Sequence, residues 1–574
     1  MRPAGAMFDC DVLIVGAGPV GTALALELAL HRVSFRVIDS CAIRSDKSKA
    51  MIVQSRTLEL LNRHGATHDL ISRGTEVLGA AVSIDRKPVT FINLDGAAPV
   101  ETEFPLPLMV SQAETERVID ECLAKHGATV ERPVTAKAVA QDETGVTTEL
   151  ESADGTRETV RSKYVVGCDG AHSIVRHSAK IFTFDGAAYP QVFVLCDARL
   201  RDSNIALNHT AMYLEDGMFA IMPLGNELFR FIAMFSRAAA GSDDNLMDPE
   251  GNPKLAFFQR EMERFAPPGC GTIYDPVWLS RFRLHHRVVN QYRDRRLFVA
   301  GDAAHIHSPM GGQGMNSGLQ DAYNLGWKLA AVLQGRVADP ETLLDSYHTE
   351  RHPVGQDILR VSDRMFTFIT TTNFLFVRVR NFLLPWVLPW LWSSKDRVRT
   401  AYHFVSQLGV SYRGSPIVGA AKGFVGPVVG GDRVPDGELK KMKSSDIGQK
   451  QTLTRVHHIC VGAPHHLLLF TGKGGDENSG AYAASAAFEE ARDKIQALVK
   501  VHLKTHVIGT GSLSEFGGCS LSDSVYLDLD GVVHERYGFE KDPGFAFIRP
   551  DGYIAHIGPL SSLDDLLVFL GKFF

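Results

Sequence analysis

The stretch from Cys10 to Ser40, CDVLIVGAGPVGTALALELALHRVSFRVIDS, decides the fold. Short apolar runs predict a strand over Asp11–Val15, a buried helix over Gly21–Ala29 and a second strand over Ser34–Ile38. A strand–helix–strand unit of this length places two parallel strands in one sheet, with the helix packed across them. The sequence therefore predicts an α/β fold that is built on a parallel sheet.

Six residues between the first strand and the helix, Gly16-Ala17-Gly18-Pro19-Val20-Gly21, form a GxGxxG motif. Glycine allows a tight turn at Gly16, approach of a pyrophosphate at Gly18 and close helix packing at Gly21. Asp39 ends the second strand, where a carboxylate can accept hydrogen bonds from ribose hydroxyls. This combination predicts dinucleotide binding but does not distinguish FAD from NAD.

A second glycine-rich stretch, Gly301–Asp321, reads GDAAHIHSPMGGQGMNSGLQD and follows a short predicted strand. Asp302 can bind a ribityl hydroxyl, and the loop Pro309–Asn316 can bring backbone N–H groups against a ring system. A helix is predicted over Ser317–Leu333, and its positive end suits the N1–C2=O edge of a flavin. This second site favours FAD.

A third motif lies between the other two, Tyr164–Arg176, with the sequence YVVGCDGAHSIVR. In order and spacing, the three motifs resemble those of the single-component FAD-dependent aromatic hydroxylases, the class A flavoprotein monooxygenases. The third motif is similar to their DG motif, which is linked to FAD and NAD(P)H, and Gly301–Asp321 to their GD motif. Most of residues 9–400 resemble the branch of phenol hydroxylase and pentachlorophenol monooxygenase.

The resemblance extends to the C-terminal region, where GDRVPDGEL and FAFIRPDGYIAHIG are similar to the thioredoxin-like domain of that branch. This region lacks CxxC, which suits a packing or dimer role. The resemblance implies an α/β fold: a Rossmann-like FAD-binding domain, an inserted β-sheet substrate domain and a C-terminal thioredoxin-like α/β domain. The expected bounds are 1–185 and 286–410 for the two parts of the FAD-binding domain, the second with a helical segment, 186–285 for the substrate domain and 411–574 for the thioredoxin-like domain.

The resemblance also implies which residues hold the cofactor. Lys49 stands where the family usually has Arg, which keeps the charge but loses the bidentate geometry. Gln112 matches a glutamine that contacts the flavin. The expected cofactor-binding residues are Gly16, Gly18, Pro19, Gly21, Asp39, Lys49, Gln112, Asp169, Asp302, Pro309, Gly312, Gly314, Met315 and Asn316.

The implied reaction uses NADPH or NADH and O2, passes through a C4a-hydroperoxyflavin and hydroxylates a small phenol-like aromatic substrate. One alternative is epoxidation, dearomatisation or ring-oxygen insertion on a polyketide-type secondary metabolite. A second alternative is a flavin dehydrogenase or binding protein that does not oxygenate. The resemblance implies a homodimer, and the chain is expected to be cytoplasmic.

The substrate pocket is expected to be apolar. Fungal phenol hydroxylases use Asp, Arg and Tyr there, and the matching positions hold Met51, Leu224 and Ile232. Simple phenol is therefore not the expected substrate. Tyr213 and His286 are the candidate catalytic residues, each with an ordinary structural role as the alternative. His209, Arg230 and His285 are further candidates.

Composition gives no support to other functional classes of protein. A net charge of -6 gives no reason to expect nucleic acid, and the 22 histidines lack metal-ligand spacing. The N-terminus shows no apolar core of a signal peptide. Arg378 and Arg380 interrupt the most apolar segment, Phe374–Trp392, and Pro385 and Pro389 break it. We therefore expect a packing element between domains or subunits and no membrane span, with peripheral membrane contact as the alternative.

Overall fold

The computed structural model describes residues 7–44, 50–97, 101–225, 227–235, 246–248, 252–441, 452–472, 480–510 and 525–574. Its helices are α1 (Pro19–Leu30), α2 (Ser55–Asn62), α3 (Thr67–Arg73), α4 (Gln112–Lys125), α5 (Ile174–Ser178), α6 (Leu255–Phe265), α7 (Gln313–Leu333), α8 (Pro340–Thr370), α9 (Phe374–Trp392), α10 (Lys395–Val405), α11 (Val456–Ile459), α12 (Gly480–Leu498), α13 (Val532–Tyr537) and α14 (Leu563–Phe573).

The first sheet is built on the predicted strand–helix–strand unit and follows the order β16-β17-β10-β1-β2, with β8 and β9 joined beside β10. Parallel pairing of β1 with both β2 and β10 places Val12–Val15 at the buried centre of the sheet. Its strands are β1 (Cys10–Val15), β2 (Phe35–Ile38), β8 (Val134–Gln141), β9 (Val146–Ser152), β10 (Arg157–Gly167), β16 (Arg293–Asp294) and β17 (Leu297–Val299).

The second sheet has the order β18-β15-β11-β14-β13-β12-β5-β6. Two of its strands, β5 and β6, lie before residue 186. The expected bounds assigned that part of the chain to the FAD-binding domain. Its strands are β5 (Gly79–Ile84), β6 (Lys87–Asn93), β11 (Phe184–Arg201), β12 (His209–Leu214), β13 (Met218–Gly225), β14 (Leu228–Phe235), β15 (Thr272–Val289) and β18 (His305–Ile306); three short strands, β3 (Ile52–Val53), β4 (Thr75–Glu76) and β7 (Leu108–Met109), form a small sheet.

Side chains alternate between the two faces of the second sheet, as the strand period requires. On β14, Phe229, Phe231 and Ala233 pack with α6 on one face. Ile232 and Met234 lie on the opposite face, in a separate apolar layer. The two layers therefore have different neighbours, and only the second one reaches the glycine-rich loop after β18.

The C-terminal region forms a third sheet, of order β19-β26-β25-β22-β23-β24-β20-β21. Its centre runs β22–α12–β23 and then β25–β26–α14, with β22 parallel to β23 and antiparallel to β25. Its strands are β19 (Gly419–Ala420), β20 (Glu438–Lys441), β21 (Thr452–Arg455), β22 (His465–Phe470), β23 (Leu503–Gly509), β24 (Val525–Leu527), β25 (Gly544–Ile548) and β26 (Ile554–Pro559).

A buried ionic network joins this third sheet to the FAD-binding part. Glu350 on α8 accepts hydrogen bonds from both terminal nitrogens of Arg549, at 2.6 and 2.9 Å, and from Lys328 on α7 at 2.8 Å. Trp327 on α7 donates to Asp551 at 3.1 Å. Helix α7 is thus held in place by the C-terminal region.

Two elements differ from the sequence-based expectation. Helix α7 begins at Gln313, four residues earlier than expected, because Gly312 takes a left-handed conformation that caps the helix. Helix α9 runs unbroken through Pro385 and Pro389. Both proline rings lie on the exposed side, where water can satisfy the carbonyls that lose a backbone donor. Helix α9 is long and apolar enough to cross a membrane by length and composition.

Candidate functional site

The GxGxxG turn is shaped by the space around its glycines. A Cβ on Gly16 would lie 2.4 Å from the carbonyl oxygen of Cys168, and one on Gly21 would lie 1.9 Å from that of Gly16. These two glycines are therefore required by packing of β1, α1 and the end of β10. At Gly18, by contrast, no protein atom lies within 4 Å of a Cβ. The protein leaves the space above the start of α1 open.

Asp39 stands at the end of β2, beside this open space. Its carboxylate accepts hydrogen bonds from the backbone N–H of Ala17 and of Cys41, both at 2.8 Å. Arg132 lies 3.2 Å from the same carboxylate. A carboxylate has room for about four hydrogen bonds, so Asp39 keeps capacity for ribose hydroxyls.

A cavity of about 640 Å³ opens next to this acid, between the end of β2 and α4. Three arginines line it, Arg44, Arg117 and Arg132. Arg44 pairs with Asp120 at 3.2 Å, and burial raises the pKa of the Asp120 carboxyl against the opposing effect of Arg44. Two acids, Glu114 and Asp120, also line the cavity and pair with Arg117 and Arg44. The size of the cavity suits the nucleotide half of a long cofactor.

Gln112 begins α4 near this cavity and donates from its side chain to Glu116 at 2.8 Å. Burial raises the pKa of Glu116. Lys49 lies outside the described residues. Pro19 is the first residue of α1, where its missing N–H costs no helix hydrogen bond.

The three motifs converge on one another. Gly301 packs so closely on α1 that a Cβ would lie 2.8 Å from the side chain of Val20, and Gly318 on α7 meets the same side chain. Arg176 of the third motif donates to the carbonyl of Ala303 at 2.9 Å. Asp302 lies between these contacts on the exposed side of the turn. The ribityl-binding candidate therefore faces outward from a rigid junction.

Asp169 carries a buried polar atom without a protein partner in the described residues. Its Oδ2 accepts from the backbone N–H of Ile174 at 2.7 Å, whereas Oδ1 is buried and unpaired. Burial raises the pKa of this carboxyl, and the hydrogen bonds from Ser173 and Ile174 oppose the shift. Because Asp169 lies against Gly16, a cofactor hydroxyl at this point would satisfy the orphaned oxygen.

The loop after β18, which we call the flavin loop, comprises residues 309–316. Gly311 and Gly312 have φ of 78° and 64°, a conformation that side chains rarely adopt. Asn316 holds the loop: its amide oxygen accepts from Gln54 N at 2.8 Å, and its amide nitrogen donates to the carbonyls of Ile52 and Gly312 at 2.8 and 2.7 Å. The structure thus gives the Asn316 side chain a positioning role.

Three further residues of the flavin loop, Gly314, Met315 and Pro309, differ in their surroundings. A Cβ on Gly314 would meet nothing within 4 Å, so the first turn of α7 presents bare backbone. Met315 packs against the core of the first sheet. Pro309 is exposed, and Met310 separates it from the two left-handed glycines. Backbone N–H groups at the start of α7 are therefore accessible to a ring system.

Behind the loop runs a chain of buried polar groups. Arg351 donates to Asp321 at 2.7 Å, Asp321 bonds His305 at 2.7 Å, and His305 bonds His307 at 2.7 Å. Burial holds the pKa of His307 well below its usual range, and the neighbouring His305 adds to this effect. Both histidines are thus engaged in hydrogen bonds behind the flavin loop, which indicates that they support the loop.

An apolar layer of the second sheet lies beside the flavin loop, and we call it the apolar cluster. It includes Met51, Leu224 and Ile232, the three positions at which phenol hydroxylases were expected to differ. Seven of the chain's 14 methionines belong to it or pack on it. They are Met51, Met109, Met212, Met218, Met222, Met234 and Met310.

A polar group lies at the edge of the apolar cluster. The Tyr189 hydroxyl donates to Asp363 at 2.7 Å, and the His286 ring lies 4.8 Å from the Tyr189 ring. His286 Nδ1 is 3.9 Å from the same carboxylate and is buried. Burial raises the pKa of Tyr189, and the bond to Asp363 adds to this shift.

The sequence analysis named His286 as a candidate but did not name Tyr189 or Asp363. Tyr189 on β11 and Asp363 on α8 are 174 residues apart, and neither carries a motif. The other catalytic candidate, Tyr213, lies on the opposite face of the second sheet, where its hydroxyl is 3.6 Å from the sulfur of Cys270. The structure does not bring Tyr213 together with the flavin loop, and this placement indicates a packing role.

The residues present fit FAD. The open space at Gly18 and Gly314, the orphaned Asp169 oxygen and the cavity after β2 all lie in or beside the three motifs. Among the described residues, no group of three or more histidine, cysteine or acidic side chains could hold a metal ion.

Comparison with known proteins also indicates that this chain binds FAD. The family model described as FAD binding domain matches residues 9–362. The chain is 32% identical to 6-methylpretetramide 4-monooxygenase of Streptomyces rimosus, over 97% of this chain and 92% of the relative. It is 30% identical to pentachlorophenol 4-monooxygenase of Sphingobium chlorophenolicum, over 98% and 96%. The solved structure of OxyS anhydrotetracycline hydroxylase from Streptomyces rimosus matches with a TM-score of 0.69 and 27% identity, over 98% and 99%.

Proposed function

This chain belongs to the FAD-dependent aromatic monooxygenases, and from that premise we propose that it hydroxylates a phenol-like compound larger and more apolar than phenol. The observation that carries the proposal is the apolar cluster beside the flavin loop. Thioether side chains adapt to different ligand shapes, so a methionine-rich wall suits a bulky aromatic ring better than a small polar one.

FAD, when bound, supplies hydride acceptance from NAD(P)H and activation of O2. The chain's own residues position it. Gly16, Gly18, Gly21 and Asp39 are proposed to hold the nucleotide half, with Asp169 and Asp302 at the ribityl chain. The start of α7 at Gly314 presents backbone N–H groups and the positive end of the helix dipole to the ring edge. The apolar cluster excludes water from the reacting face.

We propose that the polar side chains at the edge of the apolar cluster transfer protons. A phenol reacts better with an electrophilic oxygen once its hydroxyl proton is partly removed. The Asp363 carboxylate accepts a hydrogen bond from the Tyr189 hydroxyl, and His286 lies beside both residues. We propose that these three side chains pass a proton between the substrate hydroxyl and solvent.

A second candidate substrate is a fused-ring polyketide, which the enzyme could epoxidise, dearomatise or open by oxygen insertion. The similarity to 6-methylpretetramide 4-monooxygenase over nearly the full chain favours this ring class. The mass and ring connectivity of the product distinguish these outcomes from simple hydroxylation.

Four further expectations are carried forward as proposals. Residues 411–574 are proposed as a thioredoxin-like domain, supported by the β22–α12–β23 and β25–β26–α14 order. The bounds 1–185, 186–285 and 286–410 and a homodimer remain predictions. A cytoplasmic location is proposed because the seven cysteines of the described residues are all free.

The function is tested by stopped-flow reduction of the FAD-loaded protein by NADPH, with and without a panel of phenols and fused-ring phenols. A ligand that accelerates flavin bleaching at least about tenfold is expected among the larger, more apolar members. Equal rates with every ligand and with none would contradict a substrate-gated monooxygenase.

A further inference from the structure

The outward face of α9 is not used by the monooxygenase site. Its side chains Leu375, Val379, Phe382, Trp386 and Trp390 follow one another at spacings of four, three, four and four residues, which places them on one side of the helix. All five are exposed, with Phe382 at 72% and Trp386 at 73%. We call these five residues the outward face. A contiguous apolar surface of this kind marks a binding surface.

The opposite side of α9 is fastened to the second sheet and to α8. Arg380 donates to the carbonyls of Ile369 and Glu215, both at 2.6 Å. Asn381 donates to Asp85 at 2.9 Å. Because these polar bonds hold the inner side, α9 lies along the protein surface and the outward face stays turned to the surroundings.

Positive charge surrounds the outward face. Residues 374–399 contain five basic residues and one acidic residue, Asp396, in a chain whose net charge is -6. Arg378 stacks 4.3 Å from the ring of Phe374, and Arg397 stacks 4.1 Å from that of Trp390. Arg380 points inward, and Arg399 pairs with Glu101 at 3.1 Å. The exposed rim therefore consists of Arg378, Lys395 and Arg397 with Asp396.

We propose that the outward face docks on a lipid bilayer that contains anionic lipid. Tryptophan and phenylalanine favour the boundary between headgroups and acyl chains, and flanking arginines bind lipid phosphates. Each basic residue near an anionic membrane adds attraction that salt weakens. The helix then lies in the interface and does not span the bilayer, because its inner side remains bonded to the protein.

A second copy of this chain fits the same face less well. The exposed rim holds Arg378, Lys395 and Arg397 but one acid, Asp396, so two copies that met through this face would bring two mainly basic rims together. Basic groups would then oppose basic groups around the contact. An anionic lipid surface complements these charges in every orientation.

Docking has a consequence that rests on the function proposed above. Leu384 and Leu388 on the inner side of α9 belong to the apolar cluster or pack on it. A docked α9 would separate that cluster from the membrane by about one helix diameter, on the order of 10 Å. Lipophilic aromatic molecules concentrate in bilayers, so the cluster would stand where such substrates are abundant.

The test is vesicle flotation of the full-length FAD-loaded protein at low salt. Vesicles of phosphatidylcholine alone are compared with an equal mixture of phosphatidylcholine and phosphatidylglycerol. The test variant is Phe382→Ser with Trp386→Ser, and the matched control is Val425→Ser with Leu453→Ser, two exposed apolar residues on the C-terminal region. FAD content and NADPH oxidation report whether each variant is folded, independently of vesicle binding.

The wild type and the control are expected to float with the mixed vesicles, and partitioning of the test variant should fall at least about tenfold. Replacement of Arg378 and Arg397 by Glu should also abolish flotation, as should high salt. The proposal is overturned if the wild type does not float, or if wild type and test variant float equally. It is also overturned if light scattering shows that the wild type forms a dimer that the test variant loses, without vesicle binding.

Discussion

At the scale of single residues, the space around each glycine shows whether the fold or a ligand requires the absence of a side chain. Gly16 and Gly21 are required by neighbouring protein atoms, whereas Gly18 faces open space although it belongs to the same motif. A side chain at Gly18 would therefore disturb a ligand and not the fold. The motif predicts this division of roles, and the structure adds that the atoms nearest Gly16 belong to Cys168 and Asp169, just after β10.

Replacement of Gly18 by Ala is expected to weaken FAD binding by about 10- to 100-fold, because a methyl group would enter the space of the pyrophosphate. Thermal unfolding of the apoprotein should stay unchanged. Gly414→Ala is the matched control, since a Cβ there also meets nothing within 4 Å but lies far from the motifs in sequence. Fluorescence titration with FAD measures the difference, and equal affinities for the two variants would show that Gly18 does not contact the cofactor.

Removal of the Tyr189 hydroxyl should slow the proposed proton transfer. Tyr189→Phe is expected to lower kcat by about 10- to 100-fold and to shift its pH profile, as loss of an acid–base group does. Tyr213→Phe is the control, because its hydroxyl meets only Cys270 on the far face of the sheet. A larger loss of kcat in Tyr213→Phe than in Tyr189→Phe would reverse the assignment made from the structure.

At the scale of elements, α7 begins earlier than its sequence suggests. A helix was expected from Ser317 because the preceding residues are rich in glycine, which is unfavourable in helices. The amide of Asn316 outweighs that preference by bonding Gln54 N and the carbonyls of Ile52 and Gly312. These partners come from a distant part of the chain, so propensity could not reveal the true start.

Asn316→Ala should therefore loosen the flavin loop. One buried and two partly buried backbone groups would lose their partner, and the buried one would cost about 1–3 kcal/mol before relaxation. FAD affinity is expected to fall about tenfold or more, with broader flavin absorption. Asn316→Asp keeps the oxygen that accepts from Gln54 N and should retain part of the affinity. Undiminished FAD binding in Asn316→Ala would contradict the positioning role.

At the scale of the whole molecule, the sequence predicted more of the architecture than of the substrate site. The first sheet follows from β1, α1 and β2 and from the three motifs, because cofactor contacts impose local patterns. The group of Tyr189, Asp363 and His286 has no such pattern, because its members meet only through packing of β11 and β15 against α8. The unbroken course of α9 was also missed, since its prolines are tolerated only on an exposed side.

The contact between α7 and the C-terminal region should make stability depend on pH. Burial lowers the pKa of His465 from 6.5 to about 3, helped by His31 and Arg549, and its ring packs against Trp327 and Phe547. As pH falls from about 6.5 towards 3, the unfolded chain binds a proton that the folded chain does not, so the free energy of unfolding falls.

His465→Phe should flatten this decline by at most about 1.4 kcal/mol per pH unit, as urea unfolding at several pH values can show. His502→Phe, an exposed position in the same region, should leave the slope unchanged. A slope that is identical in the His465 variant and the wild type would show that His465 is not held neutral by its surroundings.

The central claim, oxygen transfer to a bulky phenol-like ring, is tested most directly by turnover under ¹⁸O2 with NADPH and a fused-ring phenol selected by flavin reduction. One ¹⁸O atom is expected in the product and one NADPH oxidised for each product formed, with little H2O2. Consumption of NADPH with an equal amount of H2O2 and no ¹⁸O in any aromatic compound would contradict it.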